Sequence, residues 1–225
     1  MKFVLTNDDG IDAPGIRALQ IAIKGEGTVV APKHHKSGCS HTITTTEPIH
    51  VARRGERAFA VDGTPADCAR LAITHLCPDA NFVLSGINAG GNLGADVYIS
   101  GTVAAVREAA FLGVPGIAVS LHQRDFRAFD WETAARWTAK VIEDLLALPL
   151  SHGEFWNVNL PHLDAGVPDP EVVFCAVCTA PKSVRFRLEG EHYHFIGDYA
   201  DRPPTPGGDF EQCLAGKITV SKLIL

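Results

Sequence analysis

Two successive aspartates, Asp8 and Asp9, stand between the apolar run Lys2 to Thr6 and Gly10. Adjacent carboxylates repel, so keeping both ionised in a partly buried loop calls for a cation or several hydrogen bonds. Two further polar loops carry matching chemistry. Ser37 and Gly38 follow the run Thr28 to Ala31, and Asn88 and Asn92 follow the run Phe82 to Ser85. Carboxylate, hydroxyl and amide oxygens are hard ligands, a set that suits Mg²⁺ or Mn²⁺ better than zinc or copper. Gly10 allows the sharp turn that keeps consecutive side chains from diverging as they would in a strand. Alone, each group has a simpler use: an aspartate as helix cap, an asparagine as turn former, a serine as loop surface. Their shared position after three strand-like runs is what favours a metal, with Asp8, Asp9, Ser37 and the asparagines of the third loop, Asn88 and Asn92, as the candidate groups.

A second feature fits an anion. Ser100-Gly101-Thr102 opens a helix-like stretch through Leu112 that ends at Gly113, and offers peptide N–H groups, a hydroxyl and the positive end of the helix dipole. A helix cap is the plainer use of Ser100. His34, His35 and His41 near Cys39 match no usual zinc spacing; they read as loop residues, with His41 the one placed to line the pocket and contact substrate. The chain carries neither the P-loop pattern nor G-x-G-x-x-G, and no G-x-S-x-G elbow.

The elements that must position these groups follow from periodicity. Strand, polar loop and helix alternate: Lys2 to Thr6, a helix from Pro14, Thr28 to Ala31, a helix from Thr64, Phe82 to Ser85, a helix from Ser100, Gly116 to Ser120, a helix over Trp131 to Leu148, and Phe155 to Leu160. Such alternation predicts a mostly parallel α/β sheet with helices on both faces over residues 1–160. In an open sheet of that kind ligands bind beyond the carboxyl ends of the strands, which is where the candidate loops lie. Thr64-Pro65-Ala66-Asp67 supplies a hydroxyl cap, a first-turn proline and a carboxylate three residues on, predicting a helix to about Leu76. Residues 43–62 read as a hairpin projecting from the sheet. Residues 161–225 read as a smaller β-rich appendage and tail that serves oligomerisation.

Composition narrows the classes. With 225 residues, 46% of them hydrophobic and 20% charged, the chain can bury one sizeable core. A net charge of −6, with no lysine- or arginine-rich run, excludes a surface built to neutralise a nucleic-acid polymer. No apolar run reaches the length of a membrane span and the start lacks a charged leader, so a cytoplasmic protein without a membrane partner is expected. The six cysteines lie in or beside apolar segments and read as free thiols. The Cys175/Cys178 pair sits in a strand-like run that would send the two side chains to opposite faces.

The sequence resembles the stationary-phase survival protein SurE family of 5'/3'-nucleotidases. The resemblance rests on Thr6-Asn-Asp-Asp-Gly10 with Ala13-Pro-Gly15, Ala31-Pro32 with Ser37-Gly38, and Gly63-Thr-Pro-Ala-Asp-Cys68. It continues in Ser85-Gly-Ile-Asn-Ala-Gly90 with Asn92-Leu-Gly94, and in Ser100-Gly-Thr-Val-Ala-Ala105. Asn157-Val-Asn-Leu-Pro161, Asp209-Phe210 and the tail after Gly216 are weaker echoes, and Lys33, Gly208 and Lys217 depart from the family's usual residues. The resemblance implies a Rossmann-like core, one divalent ion per subunit on Asp8, Asp9, Ser37 and Asn88, and substrate phosphate near Asn92 and Ser100 to Thr102. Asn7, Gly38 and His41 join the expected substrate contacts. It also implies hydrolysis of nucleoside 5'-monophosphates, with 3'-monophosphates as a further class, and homodimers or homotetramers with exchanged segments. The expected reaction uses a metal-activated water oriented by Asp8 or Asp9, with no covalent intermediate. Two rivals are a nucleotide sensor without turnover and an aspartyl-phosphate phosphatase, the latter disfavoured because its two aspartates would be separated by one residue.

Overall fold

A computed structural model of the chain describes residues 1–124, 127–164, 166–181, 184–196 and 203–225. Strand β1 (Phe3–Thr6) is buried along its whole length, as a strand covered on both faces must be. Helix α1 (Pro14–Ala22) starts on its proline, and β2 (Thr28–Pro32) returns parallel to β1. Strands β3 (Val51–Gly55) and β4 (Ala58–Val61) form the hairpin expected near residues 43–62. It does not project: β4 pairs in parallel with β2, so the hairpin is the edge of the main sheet. The reason is burial, since Ala60 and Val61 need the cover that a free hairpin lacks.

Helix α2 (Pro65–Leu71) has the predicted capping box, with Thr64 Oγ accepting from the Asp67 amide at 3.1 Å and Asp67 accepting from the Thr64 amide at 3.0 Å. The helix changes to a wider turn over Ala72–Leu76, where the Thr74 hydroxyl donates to the Arg70 carbonyl at 2.7 Å. A hydroxyl bonded back to that carbonyl competes with the regular ladder and bends it. Strand β5 (Phe82–Ala89), a short 3₁₀ turn (Gly94–Tyr98), α3 (Gly101–Phe111), β6 (Gly116–Leu121), α4 (Trp131–Leu146) and β7 (Glu154–Leu160) follow in the predicted alternation.

Beyond residue 160, β8 (Val172–Phe174) and β11 (Ile218–Ile224) join the main sheet, flanking α5 (Asp209–Leu214) in sequence. Strands β9 (Phe186–Glu189) and β10 (His192–Phe195) instead make a separate two-stranded antiparallel ribbon with exposed side chains. The β-rich character expected for 161–225 is thus divided between the sheet and the ribbon. Strand β8 ends at Phe174, so Cys175 and Cys178 lie past it and strand alternation does not govern them. All six cysteines are free.

The main sheet has nine strands in the order β3-β4-β2-β1-β5-β6-β7-β11-β8, with only β3 and the β7–β11 pairing antiparallel. One face is an apolar layer built with Ile16, Leu19, Trp137, Val141 and Leu145 of α1 and α4; the other involves Cys68, Val103, Val106 and Ala109 of α2 and α3. Strand order reverses at β1: the chain moves first to β2 on one side, later to β5 on the other. That reversal opens a crevice at the carboxyl end of β1, flanked by the loops after β2 and β5. No helix among the described residues is long and apolar enough to cross a membrane.

Candidate metal and phosphate site

The loop after β1 is shaped by Asn7, which is fully buried. Its Nδ2 donates to the Gly10 carbonyl at 2.9 Å and its Oδ1 accepts from the Gly10 amide at 3.2 Å. Both ends of the amide are therefore committed to the turn, and Asn7 holds the loop. Gly10 has φ of +105°, the left-handed region that favours glycine. The turn leaves Asp8 only 4% exposed and Asp9 largely covered.

Asp8 Oδ1 accepts the Thr102 hydroxyl of α3 at 2.6 Å. Asp9 Oδ2 accepts the Ala89 amide at 3.2 Å, and its Oδ1 lies 3.6 Å from His35 Nδ1. Burial pushes both carboxyls above the usual carboxylate range. For Asp8 the Thr102 hydrogen bond opposes that rise, while the neighbouring charge of Asp9 adds to it. Among the described residues no lysine or arginine forms an ion pair with either aspartate. Two desolvated, mutually repelling carboxylates held side by side are the environment a divalent cation relieves. Their hard oxygens, with an amide and a hydroxyl nearby, fit Mg²⁺ or Mn²⁺. No group of three or more His, Cys, Asp and Glu among the described residues could hold a metal, so a softer nitrogen- or sulfur-rich site has no counterpart there.

The second loop is stitched to the first by two peptide bonds: Ile11 N donates to Pro32 O at 2.8 Å and Lys36 N to Asp8 O at 2.7 Å. Ser37 and Gly38 follow at an exposed turn on the rim of the crevice. Asn88, half-buried at the end of β5, donates from Nδ2 to the Gly90 carbonyl at 2.7 Å, so Oδ1 is the atom of its amide that could face a cation.

Helix α3 points its N-terminus into the same crevice. Ser100 is the cap, its Oγ accepting from the Val103 amide at 3.1 Å. Gly101 is required by close approach, because a Cβ there would lie 2.9 Å from Asp8 Cβ, 3.0 Å from Asp8 Oδ2 and 3.2 Å from Cys39 Sγ. The first-turn amides therefore stand against the carboxylate loop, and the dipole adds positive potential there. With the Thr102 hydroxyl turned to Asp8, its peptide N–H is the group it can offer an anion.

Asn92 is buried, its Nδ2 donating to Ser120 Oγ at 2.8 Å. His41 is held by α3: its Nε2 is 2.8 Å from Glu108 Oε2, in the second half of that helix, and its ring is 5.9 Å from that of Phe111. The structure thus brings together the loops of Asp8, Asp9, Ala89 and Gly101-Thr102, sets Ser37 at the rim and ties His41 to Glu108.

Four supporting residues received no role from the sequence, although Asn157, Asn159 and Asp209 lie in its weaker family echoes. Ser120, Asn157 and Asn159 surround Asn92. Asp209 is fully buried, accepting from the amides of Gly94 at 2.8 Å, Cys178 at 2.7 Å and Phe210 at 2.7 Å. The available signal was two asparagines at alternate positions of β7, in the run 155–160 whose other residues are apolar, since buried polar side chains need partners.

Residues 3–183 match the sequence profile of the family described as "Survival protein SurE". A protein of Nostoc sp. (strain PCC 7120) is 54% identical over 224 residues, which covers 99% of each chain. The 5'-nucleotidase SurE of Stenotrophomonas maltophilia (strain R551-3) is 38% identical over 239 aligned residues, covering 99% of this chain and 89% of its own. The crystal structure of the SurE protein from Aquifex aeolicus superimposes with a TM-score of 0.85 at 31% identity, over 100% of this chain and 93% of that one. The crevice at β1, its paired aspartates and the helix N-terminus opposite them are the surroundings of the motifs that this match covers, and the chain belongs to the SurE family.

Proposed function

We propose that this protein is a divalent-metal-dependent 5'-nucleotidase, hydrolysing nucleoside monophosphates to nucleoside and phosphate, with Mg²⁺ or Mn²⁺ as the ion. The observation that carries the reading is the pairing of buried Asp8 and Asp9 with the N-terminus of α3, joined through the 2.6 Å Thr102–Asp8 hydrogen bond. Relatives that carry the name 5'-nucleotidase SurE support it. Asp8, Asp9, Ser37 and Asn88 would hold the ion. Bound there, a divalent cation supplies Lewis-acid polarisation of a phosphoryl oxygen and a water acidified toward neutrality.

The chain's own groups do the rest. An Asp8 or Asp9 oxygen orients the attacking water. The Gly101 and Thr102 amides, aligned by the Ser100 cap, and the Asn92 side chain meet the negative charge on the phosphoryl oxygens. Water supplies the oxygen that forms the new P–O bond, the ester P–O bond breaks, and the nucleoside leaves with a proton. No side chain becomes phosphorylated.

We extend the proposal to assembly: residues 1–160 carry the site, and residues 161–225 serve a homodimer or homotetramer in the cytoplasm. Support comes from the ribbon, where Phe186, Leu188, Tyr193 and Phe195 are each more than half exposed.

The test is phosphate release from AMP and GMP with Mg²⁺ or Mn²⁺, with and without chelator, for the native chain and for Asp8→Asn. Release that stops with chelator, returns with added metal and disappears in Asp8→Asn is expected. Turnover indifferent to all three sinks the reading, and saturable nucleotide binding without release selects a sensor instead.

A further inference from the structure

Asn92 sits in a segment poor in conformational restraint, with four glycines (86, 90, 91 and 94) between residues 86 and 94. Yet its peptide groups and its side chain are all held by side chains of two other strands. Asn159 Oδ1 accepts the Asn92 amide at 2.7 Å. The Asn92 carbonyl receives Asn159 Nδ2 at 3.1 Å and Asn157 Nδ2 at 3.0 Å. Ser120 Oγ takes one hydrogen of Asn92 Nδ2 at 2.8 Å.

These groups are arranged by strand register. Ser120 of β6 pairs with Asn159 of β7. Asn157 and Asn159 share one face of β7, while Trp156, Val158 and Leu160 on the other enter the apolar layer under α1 and α4. Ser120, Asn157 and Asn159 are all at most 1% exposed. Apolar residues would stabilise such positions at least as well, because a buried polar group recovers little beyond its desolvation cost. Asn157 Oδ1 has no hydrogen-bond partner among the described residues, so the network is not optimised for stability. What it does achieve is a fixed Asn92. An amide nitrogen carries two hydrogens, and with one on Ser120 the other is available to an anion.

We propose that Ser120, Asn157 and Asn159 are positioning residues that set the Asn92 amide for the substrate phosphoryl group. The inference rests on the reading above, in which Asn92 contacts that phosphate. Asn157 and Asn159 fix its backbone, and Ser120 fixes the rotation of its side chain. Pre-setting the donor avoids reorganisation when phosphate binds.

The test is a double-mutant cycle on the holoenzyme with Ser120→Ala, Asn92→Ala and the combined variant, with Asn159→Ala as an independent probe. Three quantities are measured: KM and kcat for AMP, the inhibition constant of inorganic phosphate, and Mn²⁺ affinity by calorimetry. Ser120→Ala and Asn92→Ala should each weaken phosphate inhibition and raise KM about tenfold, the scale of one lost hydrogen bond. The kcat should stay within about threefold, as for a binding interaction kept through the reaction. Mn²⁺ affinity should be unchanged, and the double variant should be no worse than Asn92→Ala. Asn159→Ala should weaken phosphate in the same way. Wild-type phosphate affinity in Ser120→Ala, multiplied penalties in the double variant, or a parallel loss of Mn²⁺ affinity would each overturn the proposal. A native chain that neither releases nor binds phosphate would remove the nucleotidase reading as well, whereas an active native chain with an indifferent Ser120→Ala removes this inference alone.

Discussion

The Thr102 hydroxyl donates to Asp8 Oδ1 across 2.6 Å, joining the loop after β1 to the first turn of α3, 94 residues away in sequence. This bond ties the carboxylate pair to the N-terminus of α3, the helix end proposed to meet the substrate phosphate. It also counters the desolvation that raises the Asp8 carboxyl.

Thr102→Val keeps the shape and removes the donor. The carboxylate loses a charge-assisted bond, and metal affinity should fall about 10- to 100-fold, the usual effect of losing a group that orients a ligand. Titration of Mn²⁺ into the metal-free variant checks this; affinity equal to the native value would show that the bond does not prepare Asp8.

Gly101→Ala tests close approach. The added methyl would sit 2.9 Å from Asp8 Cβ, too near for any carbon contact. Helix and loop must separate, and phosphatase activity should fall at least about 100-fold, as expected when reacting groups are misplaced by about 1 Å. The helix itself gains from alanine. Circular dichroism should therefore show an intact fold beside the lost activity, and an active variant would contradict the packing.

Asp209→Ala addresses the support of the third loop from the C-terminal part of the chain. It strands the amides of Gly94, Cys178 and Phe210, which converge on this buried carboxylate. Unsatisfied buried donors cost about 1–3 kcal/mol each before relaxation, so a total near 3 kcal/mol is expected. Urea denaturation gives the value. A loss below about 0.5 kcal/mol would mean that the loop is held by other contacts.

Asp130 caps α4, accepting the Thr133 amide at 3.0 Å, and that hydrogen bond holds its carboxyl below the usual range. A depressed carboxyl stabilises the fold above its unfolded pKa and ceases to do so as pH falls through its folded pKa. Asp130→Ala should therefore cost about 1 kcal/mol at pH 7, the ordinary worth of such an exposed cap after solvent screening, and markedly less below about pH 3. Denaturation midpoints of both proteins at the two pH values decide; a pH-independent difference would assign the effect to helix propensity.

The lower edge of the site was legible because its parts are local. Asp8 and Asp9 after an apolar run, the cap at Ser100 and the capping box at Thr64 each lie within a few residues of the signals that reveal them, and period and turn chemistry act over that range. The same locality fixed the alternation of strands and helices through residue 160, and with it the edge of the sheet where ligands belong.

Partnerships between distant segments required the tertiary structure. Only the strand order puts β1 between β2 and β5, bringing the first three candidate loops to one crevice. Only the packing of α3 turns the Thr102 hydroxyl to Asp8, and only the β6–β7 register sets Ser120 and Asn159 beside Asn92. The hairpin of β3 and β4 shows the same limit, since its own turn predicts two strands and says nothing of β2, to which β4 is bonded. Periodicity records which face of an element is buried; what covers that face is decided by competition among all the elements for the same apolar surface.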